Sequence, residues 1–292
     1  MMLRPQTLLL FMNDPHSDSI KNSKISKMSQ AHIQKLVEER RRALTELQIA
    51  RANAVFHGGD EEEIIIEKFN IDMNRRKMKG FMPNTWLNDE NINFYMEMLN
   101  VRDAGLCEKA KAEGHTRLPS HFFSSFFMAF LKTGDAYNYG SVKRWTKKLS
   151  TSVFNMRRIY CPININNTHW TLAVVHIDIK AIRYYDSMNG GGKAYMAALL
   201  RWLKDEAKDK NGVEYDTSDW KCVPQRDIPQ QKNGFDCGMF TILNCDFMCD
   251  DLPLTEDSFS QSDLPEFRLK TVLKILDGEL KYPLINNVLS DE

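Results

Sequence analysis

A cysteine that stands between a polar turn and an apolar run constrains this chain more than any other feature. Cys237 follows the polar segment 231–236, which contains an Asn-Gly pair, and precedes the apolar segment 239–248. Asn-Gly pairs favour tight turns, and an apolar run of this length is typical of a buried helix. The positive end of a helix, with its unpaired backbone N–H groups, stabilises a thiolate or an oxyanion. The pattern therefore predicts a nucleophilic cysteine at the start of a helix.

A nucleophilic cysteine needs a base, and the base needs a group that orients it. His169 lies where a polar turn enters a β-branched run, which predicts the start of a buried strand. Asp186 ends the next predicted strand, just before a glycine-rich turn. Two neighbouring strands can place these side chains next to each other. Gln231, six residues before Cys237, is close enough to add a side-chain donor to an oxyanion hole.

Other interpretations of these residues exist. His176 lies on the same predicted strand as His169, but a separation of seven residues puts them on opposite faces, about 23 Å apart at the rise of a strand. Both cannot serve one cysteine, and His169 is better placed beside the polar turn. Asp186 could be a turn residue only, and Gln231 could simply cap the turn.

The remaining cysteines show neither disulfide nor metal spacing. Cys245 and Cys249 follow Cys237 on the same predicted helix and are expected in the core. The sequence has six cysteines without the paired spacing of secreted proteins, which favours reduced, intracellular thiols. No histidine or cysteine pair completes a zinc-finger pattern, so we expect no metal and no other cofactor.

The bulk composition excludes several classes of protein. The formal net charge of the 292 residues is +0, so no preference for nucleic acid or for a charged membrane surface follows. No apolar run is long enough to span a membrane, and the short apolar patch near the N-terminus lacks the features of a secretory signal. A hydrophobic content of 42% is enough for a sizeable core. We expect a soluble intracellular protein.

The chain divides into three predicted regions. Residues 1–28 are polar and are expected to form a flexible leader. Residues 29–63 are expected to form a helical extension, with one helix over 30–56 that Gly58 and Gly59 end, and an acidic linker. Residues 64–292 are expected to form the catalytic domain.

The domain alternates between helical and strand patterns. Strands cluster in its middle with helices before and after them, which predicts the α+β class. Predicted helices cover 89–100, 119–132, 193–210, 237–250 and 265–280. Predicted strands cover 157–163, 170–178 and 182–185.

Several motifs, in this order, resemble the SUMO-specific cysteine proteases of the Ulp/SENP family. A lone Asp-Cys-Gly would be weak, but several long motifs in the same order are specific. The similarity runs from roughly residue 64 to the C-terminus. The matching pieces are Trp86-Leu87-Asn88-Asp89-Glu90, segment 142–148, His169-Trp170, segment 184–188, segment 228–231, and Cys237-Gly238.

The resemblance implies a papain-like fold, with a central mixed sheet flanked by helices and the catalytic cysteine at a helix N-terminus. It implies cleavage after the C-terminal Gly-Gly of a ubiquitin-like modifier, in a conjugate or a precursor, without a cofactor. The implied catalytic residues are His169, Asp186, Cys237 and, in the oxyanion hole, Gln231. The implied substrate-binding residues are Trp86 and Trp170, which would form a tunnel over the Gly-Gly tail, and Asp89.

The resemblance also implies partners and a location. The expected partner is SUMO, with its conjugates or precursor, and the enzyme is expected to act as a monomer in the nucleus or cytoplasm. A protease for another modifier, such as Nedd8, would share the triad, although segments 143–148 and 216–220 are similar to the SUMO-directed branch. A third hypothesis is a pseudoprotease that only binds the modifier. The presence of every implied catalytic side chain argues against it.

Overall fold

The computed structural model describes residues 29–280. The predicted leader, 1–28, lies outside the described residues. The α-helices are α1 Gln30–Arg41, α2 Glu46–Ala54, α3 Arg75–Met78, α4 Asp89–Ala112, α5 Phe126–Leu131, α6 Lys193–Asn211, α7 Cys237–Cys249 and α8 Leu264–Asp277. The strands are β1 Ile64–Lys68, β2 Ile71–Asn74, β3 His121–Phe122, β4 Lys132–Thr133, β5 Ala136–Tyr137, β6 Arg158–Ile165, β7 His169–His176, β8 Ala181–Tyr185 and β9 Lys221–Gln225.

A mixed sheet of five strands forms the centre of the fold, in the order β3-β6-β7-β8-β9. Strand β7 is antiparallel to β6 and to β8, and both outer strands run parallel to their neighbours. Strands β1 and β2 pair apart from this sheet, as do β4 and β5. The predicted α+β class with a central mixed sheet and flanking helices is confirmed.

Strand β7 is buried on both faces, which explains its nearly continuous apolar sequence. Successive side chains of a strand point to opposite faces. Leu172 and Val174 therefore join the core on the side of α7, whereas Ala173 and Val175 join a second core that contains Trp202 of α6. Helices cover both faces of the sheet, and α7 lies directly against the face that carries Leu172.

The N-terminal extension is two helices rather than the predicted single one. Thr45 starts α2 with a capping box, in which its side chain accepts from the Gln48 backbone and the Gln48 side chain accepts from the Thr45 backbone. This cap breaks the helix that hydrophobic spacing alone predicted to be continuous. Leu36 of α1 and Ala52 of α2 are buried in the same core as α7. Residues on both sides of the expected boundary at 64 therefore share one core.

Other predicted elements differ from the structure in their bounds. The helix predicted over 89–100 continues to Ala112. The helix predicted over 119–132 is wrong, because the segment holds the short strand β3, a turn and only then α5. Strand β9 was not predicted. It is an outer strand that contains a proline, and most of its side chains are exposed, so it lacks the apolar alternation of a buried strand.

Candidate active site

Cys237 is the first residue of α7, at the place where the helix passes into the core. Every residue of α7 is buried, and Cys237 itself is 3% exposed. Its backbone N–H is among the first of the helix, which have no acceptor within the helix. A Cβ on Gly238 would lie 2.9 Å from Cβ of Leu87, so only glycine lets the Leu87 segment approach this closely.

His169 joins the sheet to the cysteine. It is the first residue of β7, and its Nε2 lies 2.8 Å from Oδ1 of Asp186, which directly follows β8. The nearby Cys237 side chain also acts on the imidazole and contributes to raising the pKa of His169. Because Asp186 occupies Nε2, the nitrogen left for the thiol is Nδ1. The three side chains come from three separate elements and form a Cys–His–Asp arrangement.

The electrostatics of this arrangement favour charged side chains. Burial lowers the pKa of His169, but the hydrogen bonds and charges of Asp186 and Cys237 outweigh it and raise this pKa to about 9. Burial raises the pKa of Asp186, but hydrogen bonds from His169 and from the Met188 and Gly190 backbones outweigh it, so this pKa is lowered. At neutral pH the arrangement therefore holds an imidazolium beside a carboxylate.

The loop after β8 holds the Asp186 carboxylate in place. The Met188 backbone N–H donates to Oδ1 at 2.8 Å. A Cβ on Gly190 would overlap Oδ2, so the loop needs glycine there. Arg226, the residue that follows β9, donates to the Asn189 backbone carbonyl in the same loop and to Oδ1 of the Asn189 side chain at 2.9 Å. These contacts hold the Asp186 carboxylate next to Nε2 of His169.

Gln231 lies against the residue that follows Asp186. The Ser187 hydroxyl donates to Oε1 of Gln231 at 2.6 Å, and the Gln231 backbone N–H donates to the Ser187 carbonyl at 3.0 Å. Nε2 of Gln231 donates to the backbone carbonyl of Asn233 at 2.6 Å. Segment 231–236 then turns into α7, so Gln231 and Cys237 lie on one short connection to the sheet.

The three expected substrate-binding residues lie in different environments. Trp86 is 51% exposed, whereas Trp170 is buried and donates its indole N–H to the Leu87 carbonyl at 2.8 Å. Asp89 is the first residue of α4, where its carboxylate accepts a hydrogen bond from the Ser125 hydroxyl at 2.6 Å. The Trp86 segment is thus attached to the strand of His169 through Trp170.

A buried ion pair near the nucleophile was missed from the sequence. Arg268 of α8 donates to Oδ1 of Asp236 through Nε at 2.9 Å and through Nη2 at 2.6 Å. It also donates to the backbone carbonyls of Gly80, Met82 and Thr85, which lead into Trp86. The pair therefore links the turn before Cys237 to the Trp86 segment. An arginine on a predicted amphipathic helix gives no signal of this in the sequence.

The rival residues lie in the core. His176, at the far end of β7, is buried, and burial and the nearby Arg158 and Arg183 hold its pKa well below its usual value. Burial raises the pKa of the Cys245 and Cys249 thiols. Within residues 29–280, no cluster of His, Cys, Asp or Glu could hold a metal ion. No helix in the same part of the chain is long and apolar enough to cross a membrane.

Comparisons with known proteins find a family match and similar sequences. Residues 85–277 match the family described as Ulp1 protease family, C-terminal catalytic domain. Ubiquitin-like-specific protease ESD4 of Arabidopsis thaliana is 36% identical over 237 residues, which are 80% of this chain and 46% of that protein. Human sentrin-specific protease 2 is 37% identical over 231 residues, 78% of this chain and 36% of that protein. The chain thus spans less than half of these relatives.

Solved structures with a similar fold are also found. The yeast Ulp1 C-terminal protease domain, solved in complex with Smt3, the yeast orthologue of SUMO, has a TM-score of 0.66 and 27% identity. The match covers 81% of this chain and 97% of that one. The catalytic domain of a Chaetomium thermophilum Ulp1-like SUMO protease, at 23% identity, has the same fold, with a TM-score of 0.66.

Proposed function

Because the chain belongs to the Ulp1 protease family, we propose that it is a cysteine protease that cleaves after the C-terminal Gly-Gly of a ubiquitin-like modifier. The observation that carries the proposal is the contact of His169 with both Asp186 and Cys237, at the point where α7 begins. A cysteine buried for packing alone needs neither an imidazole held by a carboxylate nor a helix N-terminus. Acyl transfer needs both.

In the proposed reaction, His169 holds the proton of the Cys237 thiol as an imidazolium, and the Cys237 thiolate attacks the carbonyl carbon of the terminal glycine. The oxyanion that forms accepts hydrogen bonds from the Cys237 backbone N–H and from Nε2 of Gln231. The intermediate collapses when His169 gives its proton to the leaving amine, which leaves a thioester on Cys237. His169 then takes a proton from water as the hydroxide attacks the thioester, and the thiolate departs beside the imidazolium, which restores the starting state and releases the modifier with a free carboxyl terminus.

Asp186 does not exchange protons in this scheme. Its carboxylate accepts the Nε2–H of His169 at 2.8 Å, which directs Nδ1 towards the thiol and stabilises the imidazolium. The lowered pKa of Asp186 keeps it ionised through the working range of the enzyme.

The proposed tail site lies between Trp86 and the start of β7. The half-exposed indole of Trp86 can cover a bound peptide, while Trp170 holds the Leu87 backbone beneath it. A narrow passage covered by indole rings excludes side chains, so it selects glycine by sterics. Asp89, at the start of α4, is proposed to contact the folded body of the modifier.

SUMO is the proposed modifier, because the human relative is named as sentrin-specific and the yeast neighbour was solved with Smt3. We propose that the enzyme acts as a monomer in the nucleus or cytoplasm, without nucleic acid. The zero net charge supports the last point. The second candidate is a protease for another ubiquitin-like modifier, since the triad alone does not distinguish the modifiers.

A cleavage assay on paired substrates tests the proposal. Precursors of SUMO and of Nedd8 with the same C-terminal extension are given to the wild-type protein and to Cys237→Ala. We expect SUMO cleavage by the wild type, no cleavage by the variant, and SUMO binding by both. Equal or faster cleavage of the Nedd8 precursor would favour the second candidate. If the wild type binds SUMO but cleaves neither precursor, the protein is a pseudoprotease.

A further inference from the structure

The Gln231 side-chain amide is held at both of its ends. Its Nε2 lies 2.6 Å from the Asn233 carbonyl oxygen, and its Oε1 lies 2.6 Å from the Ser187 hydroxyl. Ser187 is buried, with 3% exposure, so water does not compete for its hydroxyl. An amide with a fixed partner at each end has one orientation rather than two.

The chemistry of the two partners decides which orientation it is. A backbone carbonyl only accepts hydrogen bonds, so the Asn233 oxygen requires the NH₂ end of the amide. A hydroxyl can donate or accept, and it therefore adapts by donating to Oε1. Two acceptors 2.6 Å apart would repel each other, which excludes the flipped amide at Asn233.

The carbonyl of Asn233 is itself fixed by its own side chain. Its Oδ1 accepts from the backbone N–H groups of Phe235 at 3.2 Å and of Asp236 at 3.1 Å, and its Nδ2 donates to Oδ2 of Asp236 at 2.7 Å. The turn that precedes Cys237 thus has its shape set before any substrate binds. The Asn233 carbonyl is a rigid acceptor for the glutamine.

One consequence concerns the second proton of the amide. An NH₂ group has two N–H donors, and the Asn233 carbonyl uses one of them. The other is left for an oxyanion, and the Ser187 bond to Oε1 keeps the amide from rotating away. The opposite orientation would present Oε1, an acceptor, to a negatively charged oxygen.

We propose that Ser187 is a positioning residue for catalysis, which acts by holding the Gln231 amide with a donor towards the oxyanion. The inference deepens the proposed function and rests on it. Two adjacent residues after β8, Asp186 and Ser187, then serve the catalytic base and the oxyanion hole. Asp186 orients the base, and Ser187 orients the oxyanion donor.

The variant Ser187→Ala isolates the hydroxyl. The backbone bond from Gln231 N–H to the Ser187 carbonyl, 3.0 Å long, stays in place, so the connection to the sheet is kept. We expect kcat for SUMO-precursor cleavage to fall about tenfold, as for loss of a buried hydrogen bond, with KM within about twofold. The matched control is Ser258→Ala, because Ser258 is equally buried but its hydroxyl bonds to Thr255.

A second readout separates the oxyanion hole from the triad. Iodoacetamide alkylates the Cys237 thiolate by displacement at carbon, so no oxyanion forms. The alkylation rate should be unchanged in Ser187→Ala if Ser187 acts through Gln231. A fall in that rate would mean that Ser187 acts on Asp186 and His169, or that it is merely structural, and would overturn the inference.

The double variant with Gln231→Ala completes the test. If Ser187 acts only through Gln231, Ser187→Ala should cost nothing further in kcat when Gln231 is already alanine. Independent, multiplied losses in the double variant would overturn the inference while leaving the proposed function intact. Turnover by Cys237→Ala would instead overturn the proposed function, and a wild-type protein that cleaves no modifier precursor would overturn both.

Discussion

The indole N–H of Trp170 donates to the backbone carbonyl of Leu87 at 2.8 Å, across 83 positions of the sequence. Trp170 directly follows His169 on β7, and Leu87 directly follows Trp86. The Leu87 side chain in turn lies against Gly238, the residue after Cys237. The segment that contains Trp86 and Leu87 therefore contacts both β7, which carries His169, and α7, which begins with Cys237.

This attachment predicts different roles for the two tryptophans. Trp86→Ala should change the free energy of unfolding by less than about 1 kcal/mol, because the ring is half exposed, yet should slow single-turnover cleavage at least tenfold. Trp170→Ala should cost about 3–5 kcal/mol of stability, because that ring is buried. Thermal denaturation and single-turnover cleavage measure both effects. If Trp86→Ala cleaves at the wild-type rate, the tail does not bind at Trp86.

The raised pKa of His169 predicts the alkaline side of the pH profile. His169 must carry a proton to release the amine, so kcat/KM should fall as the pH rises through about 9. In Asp186→Asn, the partner that raises this pKa is lost, so the fall should move to lower pH. Activity should also drop by about 10⁴, because the amide stabilises the wrong tautomer. If kcat/KM of this variant falls at the same alkaline pH as that of the wild type, Asp186 does not raise the pKa of His169.

The same pKa values give the direction of the stability change. A histidine with a raised pKa stabilises the fold fully below its unfolded value, near 6.5. That contribution should be lost as the pH rises through about 9. The lowered pKa of Asp186 acts in the opposite sense, and its contribution is lost as the pH falls below the ordinary range of a carboxylate. Urea unfolding of the wild type and of Asp186→Asn at several pH values measures both.

The buried Arg268–Asp236 pair predicts a large loss of stability. Arg268→Met leaves the Asp236 carboxylate without its cation and removes one hydrogen bond from each of three backbone carbonyls. Breaking a buried pair from one side typically costs about 3–5 kcal/mol. The control is Arg51→Met, since the Arg51–Asp277 pair is half exposed and should be worth less than about 1 kcal/mol. Similar midpoints for the two variants in chemical denaturation would contradict this.

The packing of α1 predicts that the extension stabilises the domain. Leu36→Ala should cost about 2–5 kcal/mol, because Leu36 lies in the core that contains α7. Leu47→Ala is the control on α2, and it should cost less than about 0.5 kcal/mol because its side chain is 80% exposed. The measurement is the free energy of unfolding of the full chain. An equal cost for the two would mean that α1 does not contribute to the core.

The loop after Asp186 predicts contrasting effects at adjacent glycines. A methyl group at Gly190 would overlap the Asp186 carboxylate, whereas one at Gly191 would meet no heavy atom within 4 Å. Gly190→Ala should therefore displace the carboxylate from His169 and reduce both cleavage and iodoacetamide alkylation of Cys237. Gly191→Ala should retain both rates. Wild-type alkylation in Gly190→Ala would show that the carboxylate does not hold the base.

The sequence was most informative where function depends on local pattern. The apolar run after Cys237 predicts the helix behind it, because a helix that is buried on all sides is apolar along its whole length. His169 and Asp186 stand at the ends of predicted strands, and the structure brings both to the start of that helix. Their catalytic roles, and that of Gln231, remain predictions, but their placement followed from turns and strand ends within a few residues of each.

The tertiary structure alone decided the contacts between distant segments. Arg268 has no sequence signal that pairs it with Asp236, 32 positions away, since its partners are a carboxylate and carbonyls that only packing brings together. The break between α1 and α2 at Thr45 could not be predicted either, nor could the packing of the N-terminal extension in the core. Hydrophobic spacing shows which face of a helix is buried, but it does not show which element that face packs against. The same spacing cannot tell that Trp170 is buried and Trp86 exposed. Local periodicity reports each element's own burial, whereas the neighbours that an element contacts depend on the whole packed fold.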